Sequence, residues 1–113
     1  MVALDAGIKS RALEAARVLE QMAPVRAVYV FGSFVEGRSH SYSDLDIAVF
    51  LDGLDDWDMR RRARAMFQVQ KQVGLDVETH LFSARALERP EEGSFASHIM
   101  HRGIRLDLEG NAT

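Results

Sequence analysis

Apolar positions recur along the chain with two periods. From 5 to 22, Ile8, Ala12, Ala15, Leu19 and Met22 fall at spacings of four and three, one stripe of an amphipathic helix. Asp5 is placed to cap that helix, and Pro24 ends the segment. "VRAVYVF", 25 to 31, is β-branched and aromatic on both faces apart from Arg26, which predicts a strand buried on both sides. Gly32 stops it, "FVEG" reads as one helical turn closed by Gly37, and "RSHSYS", 38 to 43, is a polar loop. "DLDIAVFL", 44 to 51, is a second strand, broken by "DGLDD", where Asp55 or Asp56 would cap the next helix. That helix, about 57 to 73, sets Met59, Ala63, Met66, Phe67 and Val73 largely on one side, with Gly74 as its C-cap. "LDVETHLF", 75 to 82, is a third strand, and "SARAL" a turn or short helix broken by Pro90. A last helix spans 94 to 104 with Phe95, Ile99 and Met100 facing in, and "RLDL", 105 to 108, is a short terminal strand. The order predicts an α/β or α+β domain over 1–108, with a small sheet covered by helices and a disordered tail over 109–113. Strands 1 and 2 are far enough apart to pair antiparallel or in a mixed sheet.

Composition narrows the class. At 113 residues there is room for one domain, and 47% hydrophobic content supports a single core. Without cysteine there is no disulfide, zinc-thiolate site or thiol nucleophile, which suits a reducing cytoplasm. No apolar run approaches ~18 residues, and the charged N-terminus lacks the apolar core of a signal peptide, so neither membrane span nor leader is expected. Seventeen acidic against 14 basic residues give a net charge of −3, without the basic footprint of a protein that holds long nucleic acid. "RRRAR", 60 to 64, reads first as a solvated helix face and second as an anion-attracting or partner-facing patch.

The chemistry gathers between 30 and 50. In a strand, Asp44 and Asp46 point to the same face, two like charges among apolar residues. A cation between them relieves the repulsion, and a cluster of oxygens without histidine suits a hard ion such as Mg²⁺. Gly32 permits a sharp turn and close approach, and Ser33 then opens a helical turn whose N–H groups and hydroxyl can meet a phosphate. A third carboxylate could come from Asp76 or Glu78, which share a face of strand 3. His98 and His101, three apart with no third ligand in view, read as surface histidines. His80 could line the same face as Glu78 but reads first as structural, and Trp57 as a core or interface anchor. His40, Ser41 and Tyr42 are explained by loop polarity, with nucleotide or acceptor contact as the alternative; Ser43 orients the turn into strand 2.

Gly32-Ser33, ten residues, then Asp44-Leu45-Asp46 resembles the G-S-x10-D-x-D signature of the minimal nucleotidyltransferase (MNT) domains, of the DNA polymerase β-like superfamily. "VYVFGSF", "SDLDIAVF", "ETHLFSARAL" and "IMHRGIRL" are similar to family segments in the same order, so the likeness covers nearly the whole chain. The resemblance implies a mixed sheet with helices mostly on one side. It implies two Mg²⁺ ions on Asp44 and Asp46, with Glu78 rather than Asp76 as third carboxylate and helper in deprotonating the acceptor. Gly32 and Ser33, beside Ser43, would serve the phosphates of ATP as it donates AMP to a hydroxyl. Stand-alone members of this size are often antitoxins that add AMP to a tyrosine of a HEPN-domain toxin ribonuclease, or silence it by binding. Such a domain, alone or as part of an oligomer, needs a partner chain to supply the acceptor. Transfer to a small molecule is the weaker alternative, since no sugar pocket or second domain is evident. Two positions depart from the pattern: Glu36 stands where Arg is usual in "GSFVEG", and Glu78 where Asp is commoner.

Overall fold

A computed structural model describes Leu4, residues 6–36 and residues 44–108. Asp5, Gly37, the 38–43 loop with His40 through Ser43, and the 109–113 tail lie outside these described residues, as does the Glu36 side chain. The chain runs α1 (Ala6–Glu20), β1 (Val25–Phe31), α2 (Ser33–Glu36), β2 (Leu45–Leu51), a 3-10 turn (Leu54–Asp56), α3 (Met59–Gln72), β3 (Val77–Ser83), α4 (Arg85–Glu88), α5 (Phe95–Arg102) and β4 (Ile104–Leu106). The strands form one sheet in the order β3-β2-β1-β4. β1 pairs antiparallel with both β2 and β4, while β2 and β3 run parallel, joined through α3. The sheet is mixed, as expected.

The β1 and β2 sequences are apolar on both faces because both faces are covered. Val28, Val30, Leu45, Ile47, Val49, Leu51 and Val77 meet α1 and α3 in the larger core. On the reverse face Ala27, Tyr29, Ala48 and Phe50 meet Ala96 and Ile99 of α5. The two long helices therefore share one side, and the short α4 and α5 close the other. A bulge between Val25 and Ala27 reconciles the two layers: Val25 pairs with Leu51 and Ala27 with Phe50, leaving Arg26 exposed at the irregularity.

Three expectations are corrected. Asp58, not Asp55 or Asp56, caps α3, its side chain accepting from the Arg61 N–H at 2.8 Å, because 54–56 are taken into the 3-10 turn. The buried face of α3 is Ala65 and Val69; Met59 and Phe67 are exposed, at 78% and 57%. Small residues there, with Ala12, Ala15 and Ala16 on α1, let the helices sit close to the sheet and leave the larger side chains at the rim. Gly74 has no positive φ and is not a left-handed cap. A Cβ on it would fall 2.8 Å from both Arg11 Nη2 and Asp76 Oδ1, so its lack of a side chain makes room for the Arg11–Asp76 ion pair.

On α5 the buried residues are Ala96, Ser97 and Ile99, while Phe95 is half exposed. Trp57 belongs to the larger core, with the Arg61 guanidinium 4.2 Å from its ring centroid. Arg62 donates to the carbonyls of Trp57 and Leu54, so two of the clustered arginines tie the start of α3 to the turn before it.

Candidate active site

Register builds the site. Asp46 follows the first residue of β2 and, by strand alternation, shares its face with Ala48 and Phe50, the face covered by α5. Antiparallel pairing sets Phe31 beside Asp46, and parallel pairing sets Glu78 on its other side. Glu78, His80 and Phe82 occupy alternate positions of β3, so they project toward that same face. Two carboxylates thus lie side by side across adjacent strands, an arrangement that costs stability when nothing intervenes.

His80 completes the group. Its Nε2 lies 3.4 Å from Asp46 Oδ1 and 3.9 Å from Glu78 Oε1. The ring is held edge-on between Phe31, at 5.0 Å between centroids, and Phe95, at 5.7 Å. One ligand atom each from Asp46, Glu78 and His80 lies within 4.8 Å of the others. A divalent ion with bonds of about 2.1–2.5 Å spans ligand pairs up to about 4–5 Å apart, so the donor set fits one.

Gly32 brings the strand-end turn against this cluster. Its φ is +81°, and a Cβ built on it would meet Asp46 Oδ2 at 2.6 Å. Both the left-handed backbone and the nearby carboxylate demand glycine there. The Val35 N–H donates to the Gly32 carbonyl at 3.0 Å, which closes the turn and leaves Ser33, half-buried, next in line.

The remaining candidates divide. Asp44 precedes β2, is exposed, and stands outside the three-residue cluster. Asp76 lies before β3 and is paired with Arg11, whose hydrogen bond holds its carboxyl below the usual value. His98 and His101 are exposed, and His101 Nδ1 lies 2.8 Å from the Ser97 carbonyl, which it can meet only as a donor. His80 is the residue that sequence reasoning set aside. Its signal was its position two beyond Glu78, which places both on one face only if 77–83 is a strand. Its presence also alters the oxygen-only donor set from which Mg²⁺ was inferred. Beside His80 an open groove of about 330 Å³ runs along β3, with Met59, Met66, Phe82, Phe95 and Arg62 among its walls.

A family model described as Polymerase beta, Nucleotidyltransferase matches residues 14–106, from α1 to the last strand. The chain belongs to this nucleotidyltransferase family. Its mixed sheet, strand-end Gly-Ser turn and paired carboxylates are thereby set within a family fold. The chain is 38% identical over 61 residues to the probable protein adenylyltransferase MntA of Haemophilus influenzae, covering 53% of this chain and 54% of the relative. It therefore spans about half the length of that curated relative. Among solved structures, a toxin–antitoxin crystallised with AMP-PNP superposes with a TM-score of 0.56 at 24% identity, over 91% of this chain and 73% of that one. That likeness is one of fold. A putative nucleotidyltransferase from Sulfolobus solfataricus aligns at a TM-score of 0.49 and 23% identity, over 79% of this chain and 84% of its own.

Proposed function

We propose that this nucleotidyltransferase-family domain transfers AMP from ATP to a hydroxyl, probed first on a tyrosine of a HEPN-domain toxin, and so acts as an antitoxin. The observation that carries the reading is the register of Asp46 against Glu78, with the Gly32 turn pressed on the Asp46 carboxylate. Likeness to MntA supports protein adenylylation as the reaction, and the shared fold of a toxin–antitoxin complex supports the biological setting.

In this reading Gly32 and Ser33, together with Ser43, would hold the β- and γ-phosphates, and Asp44, Asp46 and Glu78 would hold Mg²⁺. Bound metal would neutralise charge on the phosphates and on the departing pyrophosphate. Glu78, whose side chain is 56% exposed, is reachable by an acceptor and takes the proton of its hydroxyl. The acceptor oxygen bonds to the α-phosphorus as the α–β anhydride bond breaks. Phe31 and Phe95, packed around His80, keep one wall of the site apolar. The groove along β3 opens beside His80 and gives a polypeptide acceptor an approach.

The test is incubation of the protein with ATP labelled at the α-phosphate, Mg²⁺ and a HEPN-domain partner. Label appears on the partner with the wild type and falls to background with Asp44→Ala plus Asp46→Ala. Transfer that persists unchanged in the double variant overturns the assignment. A second reading, neutralisation by binding alone, is favoured by the position of Asp44 outside the cluster. Full neutralisation of the toxin by the same double variant would select it.

A further inference from the structure

The reading above gives the metal to carboxylates, but the geometry places an imidazole nitrogen among them. His80 reaches the cluster because β3 is parallel to β2 and in register with it: Asp46 pairs with Glu78, and Ala48 pairs with His80. One step along β3 from the carboxylate pair, the ring leans back over Asp46. Two aromatic rings fix it there. Phe31 comes from β1 and Phe95 from α5, and both meet the imidazole edge-to-face at interplanar angles of 64° and 86°. Its side chain is 26% exposed and that of Asp46 23%, so both donors are sheltered. The arrangement fixes Nε2, rather than merely tolerating a histidine nearby. Binding a metal there would use the Nε2 lone pair, with the ring hydrogen on Nδ1.

We propose that His80 Nε2 is a metal ligand, forming with Asp46 and Glu78 a mixed nitrogen–oxygen site that favours first-row divalent ions such as Mn²⁺ over Mg²⁺. Carboxylates suit Mg²⁺, Ca²⁺ and Mn²⁺ alike, whereas imidazole suits first-row transition ions. Adding one imidazole to two carboxylates therefore discriminates against Mg²⁺, which dehydrates reluctantly and takes oxygen donors. Mn²⁺ is the first-row transition ion among those that carboxylates suit, and it accepts a nitrogen ligand more readily than Mg²⁺ does. The inference rests on the metal-dependent reading of the site and deepens it by naming a ligand and a preference.

The experiment uses the full chain with Mn²⁺, alone and with AMP-PNP, and reads bound metal by electron paramagnetic resonance. Wild-type protein binds Mn²⁺ with a spin-echo modulation from a directly coordinated ¹⁴N nucleus, and Mg²⁺ displaces it only in large excess. His80→Gln, which keeps a polar side chain of similar reach, loses the nitrogen modulation. It also weakens Mn²⁺ by about 10-fold or more while leaving Mg²⁺ affinity nearly unchanged. A matching circular dichroism spectrum and denaturation midpoint show that the variant is folded, and His80→Asn gives the same result with a shorter arm. Mn²⁺ bound by the wild type without nitrogen modulation, but lost in Asp46→Asn, overturns the role of His80 and leaves the nucleotidyltransferase reading standing. Wild-type protein that binds no Mn²⁺ under either condition overturns the His80 site, and the metal-dependent reading falls with it only if Mg²⁺ also fails to bind.

Discussion

Replacing Gly32 by alanine perturbs backbone and site at a single atom. The residue has φ +81°, where a side chain costs about 1–2 kcal/mol. The new Cβ would also lie 2.6 Å from Asp46 Oδ2, well inside van der Waals contact. That oxygen ends a side chain, so the carboxylate can swing aside, and leaving its rotamer costs about a further 0.5–1.5 kcal/mol. The sum is about 1.5–3.5 kcal/mol. At a urea slope of about 2 kcal/mol per molar, the midpoint falls by about 0.8–1.8 M. Gly53 supplies the control, with φ +74° and nothing within 4 Å of its Cβ position. Gly53→Ala bears the backbone cost alone, about 1–2 kcal/mol, and leaves the site untouched. Urea denaturation of both variants, with a Mn²⁺ titration on each, separates the two contributions. Gly32→Ala falls further in stability and loses metal affinity; Gly53→Ala keeps that affinity. If the two variants match in both measurements, the closeness of Gly32 to Asp46 has no role in the site and the argument fails.

Two stability predictions stand apart from the chemistry. Phe50 is fully buried and packs against Tyr29 and Phe82, with ring centroids 5.7 and 5.2 Å away, so Phe50→Ala should cost about 3–5 kcal/mol in chemical denaturation; a loss below about 1 kcal/mol would mean that the face under α5 is not a packed core. Asp76→Asn removes the Arg11 ion pair, and because the Asp76 side chain is 51% exposed the loss at neutral pH is at most about 1 kcal/mol and shrinks with salt. The carboxyl is held below its ordinary value of 3.8 in the folded state, so the pair's stabilisation is present above that value and disappears as pH falls through the folded one. Denaturation of wild type and variant against pH checks this; a difference that persists undiminished in strong acid would remove the ion pair as its cause.

The strands were legible because their signal is local. An apolar run bounded by Pro24 and Gly32 set β1 at Val25–Phe31, and the period of two set Asp46 on one face of β2 before any neighbour was known. The Gly-Ser turn and the carboxylates that follow after ten intervening residues were legible for the same reason. The face of α3 was not. Its large apolar residues, Met59 and Phe67, outweigh Ala65 and Val69 in any count of hydrophobicity, yet the small pair is buried. Which face turns inward depends on where the helix axis lies over the sheet, and that is settled by α1 and the sheet together. The cap of α3 was misplaced because three candidate aspartates crowd 55–58, and only the 3-10 turn decides among them.

Taken alone, the sequence determined which groups are available and which face of each element carries them, since backbone period is a property of consecutive residues. It thereby determined a Gly-Ser turn, carboxylates on two strands and Glu78 and His80 on one side of β3. Only the tertiary structure decided which of these meet. The parallel β2–β3 pairing selected Glu78 over Asp76 as the neighbour of Asp46, and left Asp76 to Arg11. It also turned His80 from a residue near the site into part of it, because register between strands far apart in sequence is set by the whole sheet and the helices covering it.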